Sequence, residues 1–184
     1  MFSCFSVFEM TLLVTALGLA TPMLLTASRV EAATPQVPAA SKAVKKVDGK
    51  YVDAAGDPTY KIDPDGTVDW YTFSGFRRYN GTCDVCHGPD GAGSTFAPDL
   101  TNSLKTIDYS HFAAIVSGGK QNVSTSSQLV MPSFGTNKNV MCYLDDIYVY
   151  LRARSDGVLP RGRPAKHEDK PQEAKSYEES CMGP

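Results

Sequence analysis

The sequence has no excess of positive charge and few residues that ligate metals. It carries 18 lysine and arginine residues against 20 aspartate and glutamate residues, a formal net charge of −2 over 184 residues. A nucleic-acid-binding domain needs a basic face, so this balance argues against a nucleic-acid partner. Only 3 histidines and 5 cysteines are present. Two of the cysteines form a Cys-x-x-Cys pair, and the sequence contains neither a second such pair nor two histidines spaced as in a zinc site. A tetrahedral zinc site would therefore lack half of its ligands.

The amino-terminal end lacks the lysine or arginine residues that usually begin an export signal. Met1–Met10 contains one acidic residue and no basic residue. An apolar run over residues 11–27 follows, broken by Pro22, with a small-residue cleavage site near Ala32. Because the run is short for a membrane span, we predict that residues 1–32 are a cleaved signal peptide of an exported, periplasmic bacterial protein. A misassigned start or an uncleaved membrane anchor is the alternative, and only the anchor would place the protein on a membrane.

The run Cys83-Asp84-Val85-Cys86-His87 is the most informative feature of the chain. Cys-x-x-Cys-His is the covalent attachment signature of a c-type haem, in which each thiol adds to one vinyl group of the porphyrin. A plain Cys-x-x-Cys would also fit a zinc site or a redox dithiol, and the adjacent histidine favours haem. We predict one haem c, attached through Cys83 and Cys86, with His87 as the proximal iron ligand. Export agrees with this, since c-type haem is attached outside the cytoplasm.

The sixth iron ligand separates an electron carrier from a haem enzyme. The candidates are Met131, Met141, Met182, His111 and His167. Met131 is favoured because Pro132 follows it in a glycine-bounded loop between two predicted helices. A His/Met pair leaves no open coordination position and raises the reduction potential, which suits electron transfer. The alternatives are a peroxidase-type or oxidase-type enzyme, or a haem sensor, each with an open distal site.

A metal-bound histidine usually donates its second ring N–H to a fixed acceptor. The segment Ala97-Pro98-Asp99-Leu100 supplies a candidate, the carbonyl of Pro98, as the acceptor for His87.

Periodicity and turn residues predict the elements around this motif. A helix begins near Asp69 and ends near Gly81 or one turn later, and its Gly75 allows another helix to cross closely. Further helices are predicted over residues 109–116 and 140–154. A small hairpin is predicted from residues 50–52 and 59–62.

The flanking regions contain fewer periodic patterns. Residues 34–46 are rich in alanine and proline, which predicts a flexible leader, and residues 158–184 are polar. Asp63, Asp65 and Asp69 have a calcium-like spacing, but the complete calcium loop is missing. A tight turn is therefore expected, and calcium binding is left open.

These features together resemble the class I cytochrome c family. Gly75, Tyr79 and Cys83 stand at the spacing that the family has between its first helix and the haem. Pro98 lies in an element similar to the family's Gly-Pro-x-Leu, with Ala97 in place of glycine, and Met131-Pro132 resembles the loop of the axial methionine. Further matching positions in the closing helix are Ile147, Tyr150 and Leu151. The resemblance implies an all-α fold over residues 70–157 that wraps one haem and leaves one haem edge exposed.

A narrower resemblance lies outside those residues. The N-terminal arm, the stretch that begins at Arg152, Arg161-Gly162-Arg163-Pro164 and the end that begins at Cys181 resemble a bacterial group of four-cysteine cytochromes associated with methanol metabolism. The resemblance implies a quinoprotein alcohol dehydrogenase as electron donor and a small cytochrome c or an oxidase as acceptor. It implies a carrier with no substrate of its own, and we expect a monomer.

Two cysteines remain after the haem and the signal peptide are taken into account. Cys4 belongs to the predicted signal, which leaves Cys142 and Cys181 in an oxidising compartment. We predict a disulfide between them, which closes a loop of about 40 residues and contributes about 4 kcal/mol in the chain-entropy model. Free thiols, an intermolecular bridge or a redox-sensing pair are the alternatives.

A group of basic residues lies at the end of the last predicted helix and after it. Its members are Arg152, Arg154, Arg161, Arg163 and Lys166. Two interpretations are open: the group steers an acidic partner toward the haem edge, or it is a solvated helix end that pairs with the haem propionates.

Overall fold

Two long helices that cross at Gly75 organise the fold. The structure is a computed structural model that describes residue 38, residues 41–123 and residues 128–183. The predicted signal peptide and most of residues 34–40 lie outside the described residues. The helices are α1 (Trp70–Thr82), α2 (Asp84–His87), α3 (Leu100–Ser103), α4 (Tyr109–Gly118), α5 (Lys138–Met141), α6 (Leu144–Ser155) and α7 (Gln172–Met182). None of these helices is long and apolar enough to cross a membrane.

The crossing of α1 and α6 depends on a bare glycine backbone. Asp69 caps α1 by accepting a hydrogen bond from the backbone N–H of Thr72 at 3.0 Å. A Cβ atom at Gly75 would lie only 1.8 Å from the backbone oxygen of Asp146 and 2.8 Å from Cβ of Tyr150. The close approach predicted at Gly75 is therefore present. It allows α6 to bury most of its side chains in the core.

The helix predicted over residues 140–154 is two helices in the structure. α5 ends at Met141, and α6 begins at Leu144 after a tight turn in which the N–H of Tyr143 donates to the carbonyl of Val140 at 3.1 Å. The Tyr143 ring is buried, with the guanidinium of Arg78 3.4 Å from its centroid. The helix is thus interrupted where Tyr143 packs into the core, and periodicity alone does not predict this interruption.

The N-terminal arm contains a hairpin, but its strands differ from the predicted ones. β1 (Lys45–Val47) pairs antiparallel with β2 (Lys50–Val52). Asp48 and Gly49 form the turn with φ of 48° and 82°, a conformation that an Asp-Gly pair adopts readily. The predicted leader therefore supplies one strand. The predicted pairing with residues 59–62 is present in part: the N–H of Thr59 donates to the carbonyl of Tyr51 at 2.9 Å, and Val52 forms an antiparallel bridge with Pro58. Residues 59–62 form no regular strand, and Ile62 bridges Val68.

The three aspartates with calcium-like spacing are used in separate contacts. Asp69 is fully buried as the cap of α1. Asp63 pairs with Lys61 at 2.8 Å, and Asp65 pairs with Lys166 at 3.1 Å. Among the described residues no group of three acidic, histidine or cysteine side chains is placed to hold a metal ion, which favours the tight turn.

A second hairpin, which the sequence analysis did not predict, precedes the Met131 loop. β3 (Lys120–Val123) pairs antiparallel with β4 (Gln128–Met131), with Lys120 opposite Met131. The residues between the two strands lie outside the described residues. This hairpin places Met131 at the end of a strand next to the C-terminus of α4.

The polar C-terminal segment is ordered against the domain and contains a helix that was not predicted. Its backbone bridges Val68 at His167, and the His167 ring stacks on Phe73 with centroids 3.6 Å apart. Helix α7 buries Ala174 in the core. Few other apolar residues of α7 are buried, so its sequence shows little helical periodicity.

A disulfide joins Cys142 to Cys181, 39 positions apart. It fixes the C-terminal part of α7 to the turn between α5 and α6. The predicted disulfide is thus present in the structure.

Candidate functional site

A single helical turn presents the two thiols and the histidine. The N–H of Cys83 donates to the carbonyl of Tyr79 at 2.8 Å, and the N–H of His87 donates to the carbonyl of Cys83 at 2.9 Å. Cys86 is exposed and Cys83 is partly buried, and neither forms a disulfide. His87 is buried, with 7% of its surface exposed. The turn therefore holds two free thiols at the surface beside a histidine that faces the interior.

The environment of Cys83 does not favour a redox dithiol. Burial, together with the nearby carboxylate of Asp84, raises the pKa of the Cys83 thiol to about 11. Reactive Cys-x-x-Cys cysteines have lowered pKa values, because the thiolate is the nucleophile. The raised pKa of Cys83 therefore argues against a redox-active dithiol.

The ring orientation of His87 is fixed by Pro98. Nδ1 of His87 lies 3.0 Å from the carbonyl oxygen of Pro98. A carbonyl oxygen can only accept a hydrogen bond, so Nδ1 is the nitrogen that donates to Pro98. Metal-binding histidines are usually held in this way, with the other nitrogen left for the metal. The geometry therefore agrees with the prediction that His87 ligates iron through Nε2.

The loop between His87 and Pro98 folds tightly around two glycines. Gly88 and Gly93 have φ of 70° and 82°. A Cβ at Gly88 would lie 2.4 Å from the oxygen of Gly93, and one at Gly93 would lie 2.7 Å from the nitrogen of Asp99. The N–H of Gly93 donates to the carbonyl of His87 at 2.7 Å. Side chains at these two positions would force the Pro98 carbonyl away from His87.

Met131, the last residue of β4, lies next to the C-terminal end of α4. Its side chain is partly buried against the core. Gly119 has φ of 76°, and a Cβ there would lie 2.8 Å from the Met131 oxygen. After Pro132, the N–H of Phe134 donates to the carbonyl of Val116 at 3.0 Å. The loop that carries Met131 is therefore held by backbone contacts on both sides.

The other candidates for a sixth ligand are engaged elsewhere. Met141 packs against the core, and His111 is exposed on α4. His167 stacks on Phe73, and its Nδ1 lies 2.8 Å from the carbonyl of Glu168. Met182 lies in the last turn of α7. Met131 packs against the core as Met141 does, so ligation by Met131 stays a prediction that rests on its loop.

No protein-family model matches the chain. The chain is 55% identical to a solved structure, the c-type cytochrome XoxG from Methylobacterium extorquens AM1, with a TM-score of 0.71 over 77% of this chain and 87% of that chain. It is 40% identical over 96 residues to cytochrome c-555 of Methylococcus capsulatus, covering 52% of this chain and 72% of that protein. The chain belongs to the c-type cytochromes.

A further relative of this cytochrome is cytochrome c-553I of Paracoccus denitrificans, 59% identical over 135 residues. The match covers 73% of this chain and 60% of the length of that relative. Members of the family carry covalently bound haem c and transfer electrons. The relatives agree with the predicted resemblance to class I cytochromes of methanol metabolism. The helical fold is confirmed by the structural neighbour.

Three large apolar side chains are exposed close to the haem motif and the Met131 loop in sequence. Val85, between the two thiols, is 80% exposed, Phe96 is 71% exposed and Val130 is 58% exposed. Val85, as the residue between Cys83 and Cys86, places an exposed apolar side chain in the haem motif itself.

The basic group at the end of α6 and after it makes several contacts inside the cytochrome. Arg152 donates to the carbonyl of Leu104 at 2.6 Å, and Arg154 donates to the carbonyl of Leu159. Arg161 pairs with Asp90, and Lys166 and Arg163 contact Asp65 and the ring of Phe73. The side chains of Arg161 and Lys166 are still 67% and 59% exposed, so both interpretations of the group stay predictions.

Proposed function

We propose that this cytochrome is a periplasmic electron carrier with one haem c, attached through Cys83 and Cys86 and ligated by His87 and Met131. The observation that carries the proposal is the hydrogen bond between Nδ1 of His87 and the carbonyl of Pro98 at 3.0 Å. It leaves Nε2 of a buried, neutral imidazole free beside two unpaired thiols. The haem, when bound, supplies an iron that cycles between Fe(III) and Fe(II).

The residues of the chain perform four tasks in this proposal. Cys83 and Cys86 hold the porphyrin covalently, so that the cofactor is not lost in either redox state. Pro98 fixes the tautomer of His87, which keeps one ligand in place as the iron changes charge. Met131 closes the other face and favours the reduced state. Closure of both faces excludes water and gas ligands, which suits a carrier rather than an enzyme.

The proposed partners are redox proteins. By resemblance, the electron donor is a quinoprotein alcohol dehydrogenase that oxidises methanol or another alcohol, and the acceptor is a smaller cytochrome c or an oxidase. Docking over Val85, which lies exposed between Cys83 and Cys86, would bring a partner close to the thioether edge of the haem. Apolar contacts of this kind allow fast dissociation after transfer when the interface is small.

An optical spectrum with two matched variants tests the site. Oxidised holoprotein with Met131 on the iron shows a weak sulfur-to-iron band in the far red. We expect Met131→Leu to abolish this band and to allow rapid binding of CO to the ferrous iron. Met141→Leu, which alters a methionine in the core, keeps the band. A wild-type protein that is high-spin and binds CO at once has an open site and contradicts the carrier function.

The donor and the location need separate measurements. Purified quinoprotein methanol dehydrogenase with methanol should reduce the holoprotein, and omission of methanol should prevent reduction. Failure of that enzyme to reduce a protein that ascorbate reduces contradicts the proposed donor alone. Mass spectrometry of the protein from a periplasmic extract should give a mature chain that begins close to Ala33.

A further inference from the structure

The C-terminal segment converges on one side chain of the haem-binding loop, the carboxylate of Asp90. Gly162 donates its backbone N–H to Oδ1 of Asp90 at 2.9 Å. Arg161 donates from Nε to Oδ2 at 3.2 Å. Both donors come from a segment about 70 positions further along the chain, and both reach a residue that lies three positions after His87.

Asp90 also receives contacts from α6. The hydroxyl of Tyr150 lies 3.4 Å from Oδ1 of Asp90, and Nε of Arg154 lies 3.5 Å from its backbone oxygen. The adjacent Gly91 is equally constrained, because a Cβ there would lie 2.9 Å from Cδ2 of Leu151. The loop is thus held between α6 and the C-terminal segment.

The backbone of Asp90 turns sharply while its side chain stays buried. Its φ is 61°, in the left-handed region that Asp-Gly pairs adopt in tight turns. The residue is nevertheless only 7% exposed. The four contacts described above hold it in place.

Asp90 is held in its charged form. Burial acts to raise the pKa of this carboxyl, but the Gly162 N–H and the Arg161 and Arg154 guanidinium groups together lower it below its ordinary value. Three residues of extended chain span at most about 11 Å, which limits the separation of the Cα atoms of Asp90 and His87. Ferric haem carries one more positive charge than ferrous haem, so a nearby negative charge favours Fe(III).

We propose that Asp90 is a positioning residue through which the C-terminal segment fixes the haem-binding loop and sets the reduction potential of the iron. This inference rests on the proposed attachment of the haem at Cys83, Cys86 and His87. The carboxylate lowers the potential, and Arg161 offsets part of that effect. The Asp90 side chain is 10% exposed and the Arg161 side chain is 67% exposed, so water screens the arginine more than the aspartate.

Opposite charge changes at the two positions test the proposal. Asp90→Asn keeps an oxygen that accepts the Gly162 N–H but removes the negative charge, so the midpoint potential should rise. Arg161→Gln keeps the aspartate and removes the positive charge, so the potential should fall by a smaller amount. The double variant should lie between the two. Lys166→Gln, which breaks the exposed pair between the same segment and Asp65, should leave the potential unchanged.

Potentials are measured by spectroelectrochemistry on holoproteins whose far-red band and melting temperature are recorded first. Shifts of opposite sign support the proposal, since a general loosening of the loop would move both single variants in the same direction. Unchanged potentials, or shifts of the same sign, overturn it. If Asp90→Asn does not fold, Arg161→Gln is compared with Lys166→Gln: a fall in potential with the first and none with the second supports the proposal, and equal potentials overturn it. Absence of the far-red band in the wild type contradicts ligation by Met131 and leaves the comparison of potentials valid.

Discussion

Gly75 and Asp146 meet at the crossing of α1 and α6, where a Cβ on the glycine would lie 1.8 Å from the backbone oxygen of the aspartate. No rotamer change relieves an overlap with backbone. The contact therefore fixes how closely the two helices approach and, through α1, where the haem motif begins.

Gly75→Ala should destabilise the protein by about 3 kcal/mol or more, because the helices must separate to admit the methyl group. Gly81→Ala is the matched control, since nothing lies within 4 Å of a Cβ at that position of the same helix. Alanine in a helix is favoured over glycine by up to about 1 kcal/mol, so this variant should be neutral or more stable. Urea unfolding followed by circular dichroism measures both. Equal stability of the two variants would show that the crossing is not tight.

A second pair of glycines probes the Met131 loop. Gly119→Ala introduces a side chain at φ of 76° and places Cβ 2.8 Å from the Met131 oxygen, whereas a Cβ at Gly118 meets nothing within 4 Å. We expect Gly119→Ala to weaken or abolish the far-red band of the ferric protein and Gly118→Ala to leave it intact. A band unaffected by Gly119→Ala would mean that the loop position does not control the sixth ligand.

Reduction of the Cys142–Cys181 disulfide should lower the free energy of unfolding by about 4 kcal/mol, the chain-entropy value for a closed loop of this length. Cys142→Ser and Cys181→Ser should each show the same loss. Addition of a thiol reductant should then destabilise the wild type and have no effect on either variant. If reductant destabilised the serine variants as well, the effect would come from elsewhere in the molecule.

The buried carboxyl of Asp146 should make stability depend on pH. Burial, opposed by Lys50 and Ser74, raises its pKa from 3.8 to about 7. The folded state thus binds this proton more tightly than the unfolded state, so the contribution of Asp146 to stability falls as pH rises between 3.8 and about 7. Asp146→Asn should therefore become more stable relative to the wild type as pH rises over that range.

The pKa of Asp65 is shifted in the opposite direction to that of Asp146. The backbone N–H of Thr67 and the ammonium of Lys166 lower the pKa of Asp65 to about 2, so its contribution is lost as pH falls toward 2. Asp65→Asn should lose stability relative to the wild type as pH rises from about 2 to 3.8. If the difference in unfolding free energy between Asp146→Asn and the wild type did not change with pH, the Asp146 carboxyl would ionise normally in the folded protein.

Sequence patterns predicted the parts of the fold that depend on local spacing. Helix α1 with its cap at Asp69, the close approach at Gly75 and the cysteine pair that forms the disulfide are all readable from the order of residues. The contact between His87 and Pro98 was likewise expected from the requirement of a metal-bound imidazole for an acceptor. Each of these features could be predicted because it depends on residues close in sequence, or because few residues of the required type are present.

The elements that were missed depend on contacts between distant segments. β3 and β4 contain few strongly β-prone residues, so their pairing is not evident from the sequence. Helix α7 buries little more than Ala174 and is held by Cys181, so its amphipathic pattern is weak. Pro171 and Glu173 at its start are ordinary helix-start signals that could have predicted it. The contacts of Asp90 with Arg161 and Gly162 cross about 70 positions and leave no local pattern.

The bridge between Val68 and His167 bears on how this protein acquires its structure. The segment that covers Phe73 and the start of α1 comes from residues roughly 100 positions away, as the pairing of Asp65 with Lys166 across 101 positions also shows. Contacts at such separations form late, since the entropy of closing long loops must be overcome first. The Cys83–His87 turn, by contrast, needs only its neighbours. An early intermediate should therefore present an accessible attachment motif to the haem-ligation machinery before the C-terminal segment locks the surrounding loop.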